Sequence, residues 1–552
     1  MNRSLTILAT LFLPISLSAA TILVTGNTDP YASGAQLQAA VDFAQPGDTI
    51  LVSPNIFSGP ITLKKKVNPM GQVITIKSSA PSQNLPGPGV RTGPAYSPFL
   101  PQITAQGGLA ALTMEPGTSY YNLVNLEFRP QDPGASYFSL LYLGSGGPEQ
   151  STLAAVPQFI NVDRCYIHSY PNVNAKLGLQ LNSANTKITN SYFAEFHSDF
   201  QDAGAITGIN GPGPYQIINN YIEAAGVNIL FGGAVPSIPG LVPSNILVAK
   251  NDFMKLLSYK NWDKVDPATY AAIVQADPNR AVVYRGRTVQ NYVLHTVGAY
   301  TPIVKNMFEL KTGQDVTVIA NTFTNTYVQA DQFGLPLELG PNTQGGPWVT
   351  VQRVTISNNI FRHQGGAVLI AVTDVGQTGP ATNNITFYNN LFDDIREDYS
   401  YDYERIFESY AITNLRMDHN TTLGKGEYLT LVSTTALTNF IYTDNIVSYG
   451  GGFSSLCGGY NASSYGCGFN GYNLNKNVFV GTPSPAVLPD SVVPNQFFPP
   501  DINAIGFVDA SNLGADYHNY ALAPTSPYKA KGIHQSDPGF MPAAYDYARS
   551  LY

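Results

Sequence analysis

Cysteine, tryptophan and charge are scarce in this chain of 552 residues: three cysteines, two tryptophans, and 12% Asp, Glu, Lys and Arg together. No cysteine stands with a histidine at zinc-ligand spacing, so a structural zinc module is excluded. Beyond Lys64-Lys65-Lys66, which reads as a solvated turn, there is no basic cluster, and the net charge is −8. A nucleic-acid partner, which needs a dense cationic face, is therefore excluded. After residue 20 no apolar run is long enough to span a bilayer. Disorder is excluded by the 44% hydrophobic content.

What the chain has instead is a phrase that recurs, most plainly as Asn358-Asn359-Ile360-Phe361 and Asn389-Asn390-Leu391-Phe392. Each copy follows a short β-branched run such as Val354-Thr355-Ile356 or Ile385-Thr386-Phe387. Aligned on the residue before the apolar pair, the copies form a column: Cys165, Ser191, Asn220, Asn251, Asn321, Asn359, Asn390, Asn420, Asn445 and Asn477. The spacing is 25 to 38 residues, apart from one gap of 70. Two residues on, a second column is apolar in every copy but that of Thr422. No copy carries a helical 3.6-residue stripe, which removes helical solenoids. Asparagines at the same turn of successive coils can bond to one another and to the backbone above and below, satisfying their buried amides. Such an asparagine ladder predicts an all-β fold, a right-handed parallel β-helix with an aromatic stack in its core.

With this ladder, the segments Asp163-Arg164-Cys165-Tyr166-Ile167-His168, Asn210-Gly211-Pro212-Gly213-Pro214, Asn219-Asn220-Tyr221-Ile222-Glu223 and Asn306-Met307-Phe308-Glu309-Leu310-Lys311 resemble secreted bacterial β-helix proteins of the pectate-lyase-like superfamily. The resemblance covers most of the chain. It implies a carbohydrate-active protein with a polysaccharide partner, acting as a lyase or glycoside hydrolase or holding glycan without catalysis. It also directs attention to the sheet made by the third strand of each coil, which forms the substrate cleft in such enzymes.

Residues 1–20 read as a secretory signal: Arg3, an apolar stretch from Leu5 to Leu17, and small residues Ser18-Ala19-Ala20. The expectation is a secreted protein, extracellular or periplasmic, with residues 21–552 forming one monomeric β-helix domain. Helical spacing of Leu37, Ala40, Val41 and Ala44 predicts an N-terminal helix cap over residues 35–44, since an open end would expose core and strand edges. Residues 258–304, inside the gap of 70, predict an inserted wall or lid, and 481–552 an irregular C-terminal cap. Cys457 and Cys467 share a Gly-rich loop and can close a small disulfide in an oxidising compartment, whereas Cys165 occupies a ladder position as a buried thiol.

Strand alternation nominates the chemistry. If Phe308 and Leu310 point inward, Glu309 and Lys311 point outward, and Glu338 does so one coil later. Two carboxylates with a lysine between them suit acid/base work, or calcium held by Glu309, Glu338 and Asp331 with Lys311 as base. No arginine stands at the end of the following cleft strand, where Gly340-Pro341-Asn342 is found. Asp199 and Asp202 are a second carboxylate pair. Tyr399, Tyr401 and Tyr403, alternating with carboxylates, offer rings for sugar stacking, and His363 a polar contact or base.

Overall fold

The computed structural model describes residues 19–134, 136–171, 173–298, 300–329, 334–366, 368–371, 373–401, 407–410, 412–424, 429–431, 436–448, 453–455, 468–481 and 493–552. The signal segment up to residue 18, Asp331, Tyr403, Cys457 and Cys467 lie outside these residues.

Three all-parallel sheets carry the chain: a first of 14 strands, from Thr21–Val24 to Phe469–Asn475, a second of 13, from Ile56–Ser58 to Val478–Val480, and a third of 12, from Ile61–Leu63 to Phe453–Ser455. Successive coils add one strand to each sheet in turn, which makes a right-handed parallel β-helix. At roughly 4.8 Å per strand the rod is about 60 Å long.

The repeated Asn-Asn phrase is the corner between the first and second strands. Its first member is left-handed, with φ of +56° at Asn219 and +52° at both Asn358 and Asn389, a conformation Asn tolerates better than most side chains. The bend turns the second Asn inward, where Asn220, Asn251, Asn321, Asn359 and Asn390 are fully buried. The Asn321 backbone N–H donates to Asn359 Oδ1 at 2.9 Å, and that of Asn359 to Asn390 Oδ1 at 3.1 Å. The column continues through Asn420, Asn445 and Asn477, and ends on Gln496, whose Oε1 accepts from the Asn477 N–H at 3.0 Å. Beside it the Phe253, Phe323, Phe361 and Phe392 rings stack at 4.4, 4.6 and 4.5 Å between centroids.

The N-terminal helix spans Pro30–Phe43, five residues earlier than the apolar spacing indicates, because Asp29 caps it by accepting from the Tyr31 N–H and proline occupies its first position. Gly34 lets it lie against the second sheet, for a Cβ there would sit 2.0 Å from the Ser58 carbonyl. At the other end the described part of the C-terminal segment does not stay on the last coil. It runs back along the outer face of the second sheet, where Phe507, Tyr520, Leu522 and Phe540 cover Ile360, Leu391, Leu423 and Ile446. Arg549 reaches Asp252 at 3.2 Å, the carboxylate that Arg91 also holds at 2.6 Å. Ile360, Leu391, Leu423 and Ile446 are apolar side chains on the outward face of the second sheet, so a flank cover rather than an end plug removes the exposed surface.

The insertion forms its own small antiparallel sheet, Trp262–Lys264, Ala281–Tyr284 and Arg287–Leu294, with a helix at Pro267–Ala276. It packs on the turns that lead into the third sheet: Trp262 Nε1 donates to the Val328 carbonyl at 2.9 Å, and Gln329 Nε2 to the carbonyls of Tyr259 and Pro302 at 2.8 Å each.

Candidate functional site

In the third sheet Gln180, Thr207, Leu230, Glu309, Glu338 and Leu369 pair in register, one per coil, along the outer face. Phe308, Leu310, Leu337 and Leu339 fill the core on the other side. The alternation that nominates Glu309, Lys311 and Glu338 thus brings them together on one face, and two residues that it does not nominate join them.

Glu309 is 1% exposed, yet its carboxylate is bracketed by two ammonium groups: Lys311 Nζ lies 3.5 Å from Oε1 and Lys305 Nζ 3.9 Å from Oε2. Oε2 has no hydrogen-bond partner among the described residues. Lys305 is anchored on its far side by Asp202, at 3.1 Å. Burial works against the charged form of Lys305, but Glu309, Asp202 and Glu338 outweigh it and hold its pKa above the ordinary value. Glu338 accepts a hydrogen bond from Asn306 Nδ2, and Asn306 Oδ1 in turn accepts from the Leu335 N–H at 3.3 Å. Burial first, and then the charge of Glu309, push Glu338 up to about 7, against the opposing pull of Asn306, Lys305 and Lys311. Here a carboxyl group with a raised pKa stands beside a second carboxylate and two lysines.

Local sequence explains the placement. Gly232 and Gly233, with φ of +99° and +86°, bring the preceding coil flat under Lys311, whose Cβ would be 3.0 Å from a Cβ at Gly232. Behind the site the fully buried Lys255 donates to the carbonyls of Ala224, Ala225 and Gly226 at 2.7 to 3.0 Å and to Asn228 Oδ1 at 3.0 Å. That lysine locks the turn from which the groove strand Val227–Phe231 emerges.

From Lys311 a groove of about 280 Å³ runs along the third sheet toward the N-terminal coils, lined by Leu230, Thr207, Gln180, Lys176 and Phe138, with Asp202 at its edge. Its polar groups are amides, a hydroxyl, two lysines and the Asp202 carboxylate, set among apolar side chains, the make-up of a ligand cleft.

The other nominated residues are dispersed. Asp202 joins the cluster through Lys305, while Asp199 is exposed on the turn before strand Gly204–Gly208. Tyr401 packs its ring on Trp262 at 4.6 Å and Tyr292 at 5.1 Å, and Tyr399 takes Arg396 on its face at 4.8 Å. Both tyrosines pack against the apolar surface that the insertion supplies. His363 belongs to the second sheet, in strand Ile360–Gln364, and not to the groove. Cys165 is buried and free, its thiol pushed up to about 12 by burial.

Calcium fits poorly at the groove. It takes six to eight oxygen ligands. Among the described residues the two glutamates converge, but Lys305 and Lys311 already neutralise Glu309 and Asn306 engages Glu338. A dication would meet two ammonium groups around the Glu309 carboxylate.

No known protein family matches the chain, and no curated protein does. Among solved structures it is similar to the PL6 family alginate lyase AlyGC, at 10% identity and a TM-score of 0.44, covering 94% of this chain and 57% of that one. It is also similar to PfbA, a surface adhesin of Streptococcus pneumoniae (12%, 0.37, covering 84% and 90%), and to the tailspike gp49 of Acinetobacter baumannii bacteriophage Fri1, a capsular polysaccharide depolymerase (12%, 0.31, covering 84% and 58%). The chain spans little more than half the length of the lyase, and at these identities the likeness is one of fold.

Proposed function

We propose that the protein is a secreted polysaccharide lyase acting on an anionic, uronate-containing glycan held in the third-sheet groove. The observation that carries this reading is Glu338, a carboxyl held near pH 7 beside the buried Glu309 and within a pair of lysines. A general base works best with a pKa near the working pH. Glu338, once ionised, takes the proton from the carbon next to the uronate carboxylate, C5. The C–H electron pair becomes the C4=C5 double bond as the C4–O bond breaks. Lys311, as its ammonium, gives a proton to the departing oxygen, and Lys176 adds positive charge along the glycan path. The sequence alone suggested lysine as the base, and the electrostatics of the cluster favour the reverse assignment. Hydrolysis with Glu309 as nucleophile is less well supported, because that carboxylate is 1% exposed. Secretion rests on the reading of residues 1–20; no helix among the described residues is long and apolar enough to cross a membrane. A panel of uronate polysaccharides, followed by ultraviolet absorbance of the new double bond, tests the reading. Reducing ends without that absorbance would indicate hydrolysis, and binding without either product a glycan-binding protein.

A further inference from the structure

The second sheet carries a notch that the groove chemistry does not use. In three successive coils its strand holds one extra residue in left-handed conformation: Asn325 (φ +65°), His363 (+54°) and Asp394 (+58°). On one side of it Thr324, Arg362 and Asp393 pair in register, and on the other Thr326, Gln364 and Ile395. The next coil lacks that residue, since Phe392 pairs with Thr422 and Ile395 with Gly424, so three steps oppose two. Such a bulge re-aims side chains and interrupts the sheet. The column therefore stops at Asp394, beyond which stands Gly424, where even a Cβ would come within 2.7 Å of the Ile395 Cβ. The returning C-terminal segment closes the far side with Leu513, Gly514 and Tyr520, and leaves a cleft of about 370 Å³.

The cleft is furnished for recognition. His363 Nδ1 bonds to Asp394 Oδ2 at 2.6 Å, which fixes the ring and leaves Nε2 for a ligand, and both side chains are more than a third exposed. Asp393 is 4% exposed, its Oδ1 accepting from the Tyr520 hydroxyl and its Oδ2 lying 3.4 Å from Arg362 Nε. Arg362 lies behind the cleft and not in its lining, and its ion pair with Asp393 holds that carboxylate in place. Ile395, Leu423 and Leu513 supply an apolar surface beside these polar groups.

We propose that this notch is a second glycan-binding site, separate from the groove, which takes one or two neutral sugar units. Ring hydroxyls meet His363 and Asp394, and the apolar face of the ring lies on Leu423 and Leu513. With Asp394 exposed at its mouth and Asp393 buried behind it, the notch disfavours uronates and selects a different sugar from the lysine-lined groove. The choice of ligand rests on the carbohydrate-active reading above, but the site does not depend on turnover in the groove.

The test is saturation-transfer NMR with a panel of neutral disaccharides (cellobiose, maltose, lactose and mannobiose) on the full chain. Gly514 lines the notch and a Cβ there meets nothing within 4 Å, so Gly514→Phe is the variant chosen to obstruct it. At least one disaccharide is expected to bind the wild type and Lys311→Met alike, and to lose about tenfold or more in affinity in Gly514→Phe and in His363→Ala. Polysaccharide turnover in Gly514→Phe stays at the wild-type level. Absence of binding to the wild type, undiminished binding in Gly514→Phe, or loss in Lys311→Met would each overturn the proposal. Failure of the groove reading would show separately, as absence of turnover with disaccharide binding intact.

Discussion

Replacing Glu338 by glutamine should make the protein more stable at alkaline pH while removing its activity. Glutamine has the same shape and keeps an oxygen for Asn306 Nδ2, but it cannot ionise beside Glu309. In the folded wild type the Glu338 carboxyl is raised from its ordinary 4.5 to about 7. Between those values the folded state holds more protons than the unfolded chain, so stability falls as pH rises through that window. The gap corresponds to about 3 kcal/mol when fully expressed above pH 7. Part of this figure is the repulsion of Glu309, so it belongs to the arrangement of the two carboxyls and not to Glu338 alone. Urea unfolding of wild type and Glu338→Gln at about pH 5 and about pH 8 reads the effect as a difference of differences, which removes the slopes of other raised carboxyls such as Glu223 and Asp444. The variant should match the wild type at the acid end and exceed it by about 2–3 kcal/mol at the alkaline end. Equal pH slopes for the two proteins would show that Glu338 does not carry a raised pKa, and the assignment of the base would go with it.

The asparagine column makes a second prediction. Asn359→Ala takes the acceptor from the Asn321 N–H and the donor from the Val318 carbonyl, both buried, and should destabilise by about 2–6 kcal/mol at roughly 1–3 per orphaned group; an unchanged melting temperature would refute it. Third, excising residues 258–304 for a short glycine linker should leave the coils folded by circular dichroism while exposing Tyr327 and Tyr399, which pack on the insertion, to faster chemical modification. Collapse of the fold would show instead that the insertion supplies core to the helix.

Coil spacing and strand alternation were legible in the sequence because both follow from a strict local period. The inward phenylalanines and the outward Glu309 and Glu338 stand where that period places them. Lys305 and Asn306 were not legible, since they lie before the strand, where the alternation has no hold and the turn alone decides direction. The first asparagine of each pair was visible, but its role was not, because a left-handed corner leaves no mark beyond the residue type itself. The sheet to which His363 belongs was not legible, because the second and third strands of a coil look alike until register is known. The return of the C-terminal segment over the second sheet depends on contacts more than a hundred residues apart, such as that of Phe540 N–H with Thr421 Oγ1 at 2.8 Å.

The central claim is that Glu338 and Lys311 exchange protons with a glycan in the groove. Its most direct test is the pH dependence of double-bond formation on a uronate polysaccharide by wild type, Glu338→Gln and Lys311→Met. Wild-type kcat/KM should rise with pH through about 7, as the base form of Glu338 accumulates. Both variants should lose turnover while keeping the fold, since Met preserves the apolar stem of Lys311. Turnover undiminished in either variant, or a wild-type rate that falls through the same pH range, would contradict the claim.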